Sequence, residues 1–129
     1  MDQMGHSGAA RPVNPEEPWL QVLGSRYFTA WLAEQNVSVA LTTYQTAKLF
    51  LIGRQPDDRI SVFERTFNRS MGLWGSADSQ TLWMSSQYQL WRFENSLSPA
   101  TTHDGYDRVY IPRAAHTTGD LDIHDVVAI

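Results

Sequence analysis

From Val37 onward the chain alternates. Val37, Val39 and Leu41 fall on one side of an extended backbone and Ser38, Ala40 and Thr42 on the other, which is the pattern of a half-buried strand. "KLFLIG" is a short continuous apolar run, as in an inner strand covered on both faces. "RQPDD" supplies turn chemistry through Pro56 and two Asp, and "RISVFERTF" returns as a β-branched and aromatic strand, so the pair reads as a hairpin. The grammar then repeats. "MGLWG", "TLWMSS" and "QLWRFEN" read as strands parted by "SADSQ" and by a tight turn near "QY". After the loop "SLSPATTHDG", "DRVYIPRAAH" reads as a strand with Pro112 near an edge, and "TTGD" turns into a terminal strand, "LDIHDVVAI". Seven or eight short strands with no helices between them argue against a doubly wound α/β sheet and leave sandwich, barrel and propeller. The stretches 37–67 and 71–113 echo each other loosely, ending in "VFER" and "WRFEN", and a repeat of about 40 residues is the period of a propeller blade.

What precedes the strands is different. Residues 1–18 combine Gly, Ala and Ser with Pro12, Pro15 and Pro18 and read as a flexible tail, leaving 19–129 as the folded domain. Leu20, Leu23, Phe28, Trp31 and Leu32 approximate one helical face, and Ser25 is placed to cap a helix that ends near Gln35. No apolar run follows a basic start and none is long enough to span a membrane, so the expectation is a soluble, cytoplasmic protein. The absence of cysteine excludes disulfides, thiol nucleophiles and cysteinyl zinc. A net charge of −4 with no basic block speaks against a nucleic-acid partner, and nothing suggests a membrane partner.

The motifs "LTTYQTAKLFLIG", "FERTFNRSMGLW", "TLWMSSQYQLWRFEN" and "DGYDRVYIPRAAHTTGDLDIHDV" resemble those of a bacterial family of conserved proteins of unknown function. The resemblance runs from about Phe28 to the last residue. It implies a β-propeller-like build, and it implies that this chain corresponds to the N-terminal part of a longer pattern, with "GDLDIHDVVAI" as the start of a further blade. The expected fold is thus mainly β: about two blades of a partial propeller preceded by one helix. Blades bury their faces against neighbours, so such a fragment would be unstable alone, associate with copies of itself or with a protein partner, or represent a truncated reading frame.

Candidate chemistry clusters near the C-terminus. On a strand, Asp120, Asp122 and His124 would share one face, and two carboxylates with an imidazole at that spacing suit a divalent metal ion. The competing reading is that they satisfy hydrogen bonds at a turn. His103, Asp104, Asp107 and His116 lie close enough in sequence to join them. Arg108 and Arg113 present the planar fork that suits an anion, or they pair with nearby Asp. Among Trp74, Trp83, Tyr88, Trp91 and Phe93, Trp83 and Trp91 are candidate stacking platforms for a sugar or peptide, against a role in packing. Trp91 and Phe93 share one strand face while Leu90 and Arg92 share the other, so at least one set belongs to the core. Tyr44 sits in the family-like "TYQ" motif at a strand end. No phosphate loop, nucleophile elbow or zinc-protease motif is present. Two functions follow: a non-catalytic ligand- or protein-binding module, or a metal-assisted hydrolase or lyase acting on a small or carbohydrate-like substrate.

Overall fold

The computed structural model describes residues 20–129. The expected flexible tail at 1–18 lies outside the described residues. Helix α1 (Phe28–Gln35) is followed by β1 (Val39–Thr43), β2 (Lys48–Arg54), β3 (Ile60–Thr66), β4 (Leu73–Gly75), β5 (Thr81–Ser85), β6 (Gln89–Asn95) and β7 (Tyr110–Thr117). The strands form two antiparallel meanders, β1-β2-β3 and β4-β5-β6-β7. The chain is therefore mainly β with one short helix, as its alternation demands. Among the described residues no helix is long and apolar enough to cross a membrane.

Register decides which residues meet. Leu82 stands opposite Phe93 and Met84 opposite Leu73 and Trp91, so one face of the second sheet is apolar across three strands. That face packs on Leu49 and Leu51 of β2, and together with Phe67 and Tyr110 they make the core. Met84 is fully buried and Leu49, Leu82 and Phe93 nearly so. Phe67 bridges the two sheets, meeting Trp91 and Phe93 edge-on at 5.3 and 5.6 Å between centroids, a geometry that suits the ring quadrupoles. The opposite face of the first sheet is covered by α1 and the segment before it, where Gly24 and Phe28 approach Ile60.

β7 is a strand at the edge of its sheet and behaves as one. It carries Pro112, and its pairing with β6 shifts by one residue between Arg92 and Phe93. A proline and a bulge blunt an edge against unwanted pairing. The loop between β6 and β7 holds a tight bend in which Asp104 and Gly105 both adopt positive φ, 51° and 83°, while His103 and Tyr106 pair across it. Asp-Gly is suited to such a turn.

Two sequence expectations are corrected. Ser25 does not cap the helix, which begins at Phe28 after Tyr27 with no side-chain cap among the described residues; Ser25 contributes its carbonyl, which accepts from Phe28 N at 3.1 Å. Leu20 and Leu23 therefore lie outside it. The run "LDIHDVVAI" is not a strand. Its main chain makes short-range bonds instead, Leu121 N to Gly119 O and Ile123 N to Leu121 O, and among the described residues no neighbouring strand pairs with it.

Candidate functional site

The first strand of each sheet and the segment that follows the last strand border one open cleft. Its volume is about 420 Å³ and it is lined by Thr42, Tyr44, Ser70, Met71, Asp122 and His124. Thr42 is the penultimate residue of β1 and Tyr44 opens the turn to β2. Ser70 and Met71 lead into β4. A hydrogen bond from Thr42 Oγ1 to Met71 O, 2.6 Å, ties the two sheets at this point. Ser70 is fully buried and donates to Lys48 O at 3.2 Å.

The third wall is residues 120–126. Ser85, fully buried, accepts from Gly72 N and donates to Ile123 O, both at 2.8 Å. One hydroxyl thereby docks the segment to the sheet. Gly72 is needed for the same approach: a Cβ there would lie 2.8 Å from Val126 Cγ2 and 2.9 Å from the Asp125 carbonyl carbon, well inside ordinary carbon contact. Arg69 holds the outer side. Its Nη1 is 3.2 Å from Asp120 Oδ1 and 3.6 Å from Asp122 Oδ1, and Gln87 Nε2 reaches the other Asp120 oxygen at 3.5 Å. Arg69 adopts a left-handed φ of 52°, a conformation few non-glycine residues take. Nothing in the sequence pattern singled out Arg69, Gly72 or Ser85.

The structure thus brings Tyr44, Asp122 and His124 to one cleft and keeps Asp120 beside it. Among the described residues no three His, Asp or Glu side chains converge as a metal-ligand set. The two carboxylates are answered by the Arg69 guanidinium. His103, Asp104 and Asp107 are exposed, with His103 paired to Asp104 at 3.4 Å.

The two arginines have separate partners. Arg108 Nε and Tyr110 Oη both donate to Ser79 O, at 3.3 and 2.6 Å, clamping the turn before β5. In that turn the Ser76 hydroxyl, and then the Gln80 N–H, hold the Asp78 carboxyl below its ordinary pKa. Burial pushes the Tyr110 phenol up. Arg113, the extra residue at the β7 bulge, faces Glu94 at 3.8 Å.

Trp83 and Trp91 lie on opposite faces of the second sheet. Trp91 belongs to the core side and donates from Nε1 to Ser86 Oγ at 3.0 Å. Trp83 lies on the outer side opposite Arg92, stacked with His116 at 6.1 Å and with the Arg92 guanidinium 5.9 Å from its ring centre. Its ring is thus engaged by its own neighbours.

Fold and cleft define a small, mainly β protein of two stacked meanders with an open polar cleft at their seam. Residues 26–129 match the model of the domain of unknown function DUF4915, and the chain belongs to that family. Neither the comparison with curated proteins nor that with solved structures gives a match.

Proposed function

We propose that this chain is a non-catalytic ligand-binding module with a propeller-like arrangement of its sheets, and that the cleft at their seam is where the ligand sits. The observation that carries the reading is the convergence of three segments far apart in sequence, 42–44, 70–71 and 122–124, on one polar cleft. Each lies in or beside the first strand of a sheet or in the segment after the last one. That is where consecutive blades of a propeller would meet its axis, and ligand sites favour such junctions.

Binding is favoured over catalysis because a general base is oriented by a hydrogen-bond partner. Among the described residues no side chain bonds the His124 imidazole, and Asp122 faces only Arg69. The cleft is also open and shallowly lined, so it does not exclude water from a reacting group.

The test is amide chemical-shift mapping on the full chain against a mixed set of small amines, polyols and carboxylates. Saturable shifts grouped at 42–44, 70–72 and 122–124 support the reading. Shifts confined to the outer face around Trp83, or no saturable shift with any compound, would refute it.

A further inference from the structure

Resting on that reading of the cleft, we infer that its ligand is a small organic cation bearing a primary ammonium or guanidinium group. The inference follows from which hydrogen-bonding capacity is already used. The Thr42 hydroxyl hydrogen is committed to Met71 O at 2.6 Å, and the Ser70 hydroxyl hydrogen to Lys48 O at 3.2 Å. Each hydroxyl oxygen keeps lone pairs; Ser70 is fully buried, so Thr42 is the one that presents an acceptor to the cleft and no free hydrogen.

An ionised Asp122 is acceptor-only. Among the described residues its carboxylate receives no hydrogen bond: Arg69 bonds Asp120 at 3.2 Å and stands off from Asp122 at 3.6 Å. Its capacity is unfilled on the side that faces the cleft. A neutral His124 imidazole adds one more lone pair. The lining's donors are the Tyr44 hydroxyl and the one N–H of that imidazole, and its one formal charge is then the Asp122 carboxylate.

The remaining walls suit the same ligand. Tyr44 is 47% exposed, leaving its ring free to lie against a cation. The Met71 thioether is a soft surface for methylene groups. An anion entering the same space would meet one carboxylate and several lone pairs, a repulsive arrangement. The Arg69 guanidinium already shows the chemistry that these carboxylates accept, bridging from Asp120 toward Asp122.

Three probes with one carbon skeleton test this on the full chain by amide shift mapping: propylammonium, 1-propanol and propionate. Propylammonium is expected to shift 42–44, 70–72 and 122–124 saturably, with the other two silent there. Asp122→Asn keeps the shape but removes the charge and is expected to weaken propylammonium about 10-fold, the scale of one hydrogen bond to a charged group. Tyr44→Leu, a surface change, is expected to weaken it about 3-fold through the lost ring. If 1-propanol or propionate binds those amides as well as propylammonium, or if Asp122→Asn binds unchanged, the cation is wrong and the cleft reading survives. If all three probes leave the cleft amides still, both fall together.

Discussion

Replacing Gly72 with alanine should release residues 120–126 without unfolding the sheets. The new Cβ would meet Val126 Cγ2 at 2.8 Å, the Asp125 carbonyl carbon at 2.9 Å and its Cα at 3.1 Å, against an ordinary carbon–carbon separation of about 3.5 Å or more. Val126 can turn aside, but the Asp125 main chain cannot, so the backbone must retreat by about 0.6 Å to restore that contact distance. Which side yields depends on what holds each. The segment is docked by one part-buried hydrogen bond, Ser85 Oγ to Ile123 O, with a net value of about 1 kcal/mol. The Arg69–Asp120 pair is half exposed and adds at most about 1 kcal/mol. Forcing the clash into the sheet instead would cost about 1–3 kcal/mol and would disturb the bonds that Gly72 and Met71 make with Ser85. The segment is the weaker partner. Backbone order parameters from NMR relaxation check this: for 121–126 they should fall from about 0.85 toward 0.6 or below, while amides of β5 and β6 keep their shifts and global stability drops by no more than about 2 kcal/mol. Adding Val126→Ala should not restore order, because the Asp125 main chain still clashes. If the segment stays rigid in Gly72→Ala while global stability falls by more than about 3 kcal/mol, the docking argument is wrong.

Two further perturbations probe the scaffold. Lys48 is 7% exposed and pairs with Glu64 at 3.0 Å while donating to Thr66. Lys48→Met leaves the Glu64 carboxylate with less compensation and should cost about 2–4 kcal/mol in urea unfolding, while Lys48→Met with Glu64→Leu should recover most of it, because apolar replacement of both partners is tolerated better than loss of one; equal losses in the single and double variants would contradict this. Tyr110 is raised above its ordinary value of 10.0 by burial. A folded-state pKa above the unfolded one contributes stability that is complete below the unfolded value and is lost as pH rises through the folded value. Stability should therefore decline above about pH 10, and Tyr110→Phe should flatten that decline in chemical unfolding measured across the alkaline range; an unchanged slope would rule Tyr110 out as its source.

The strands were legible because their signals are local. "RISVFERTF" and "QLWRFEN" carry period two and end at turn residues, and they appear as β3 and β6 nearly at the expected bounds. Pro112 marked an edge because a proline has no N–H to give, and β7 is an edge. The split of Trp91 and Phe93 from Leu90 and Arg92 also followed from alternation alone, and the Trp91 set is the one that reaches the core. The helix was placed too early because Leu20 and Leu23 continue an apolar spacing into a segment that packs on Ile52 and Ile60 without helical hydrogen bonds. Ser25 had the right chemistry for a cap and the wrong position for one.

The terminal column teaches the sharper lesson. Arg69 reaches both Asp120 and Asp122, so the two share a side even though no strand forms there and the main chain makes turn bonds instead. Local sequence therefore located the pair but not what faces it. That depends on Arg69, 51 residues away from Asp120, and on how closely the segment can approach, which depends on a missing Cβ at Gly72 and a single hydroxyl at Ser85. These three carry no periodic or compositional signal: a glycine before a short strand, a serine at a strand end and an arginine in a turn are each common. Their meaning comes only from meeting in space. The same holds for Tyr44, whose place at a strand end was visible while its neighbours His124 and Asp122 were not. Residues that build a cleft from separate segments are chosen by long-range contact, and the cleft follows from the stacking of the two sheets rather than from any one of its walls.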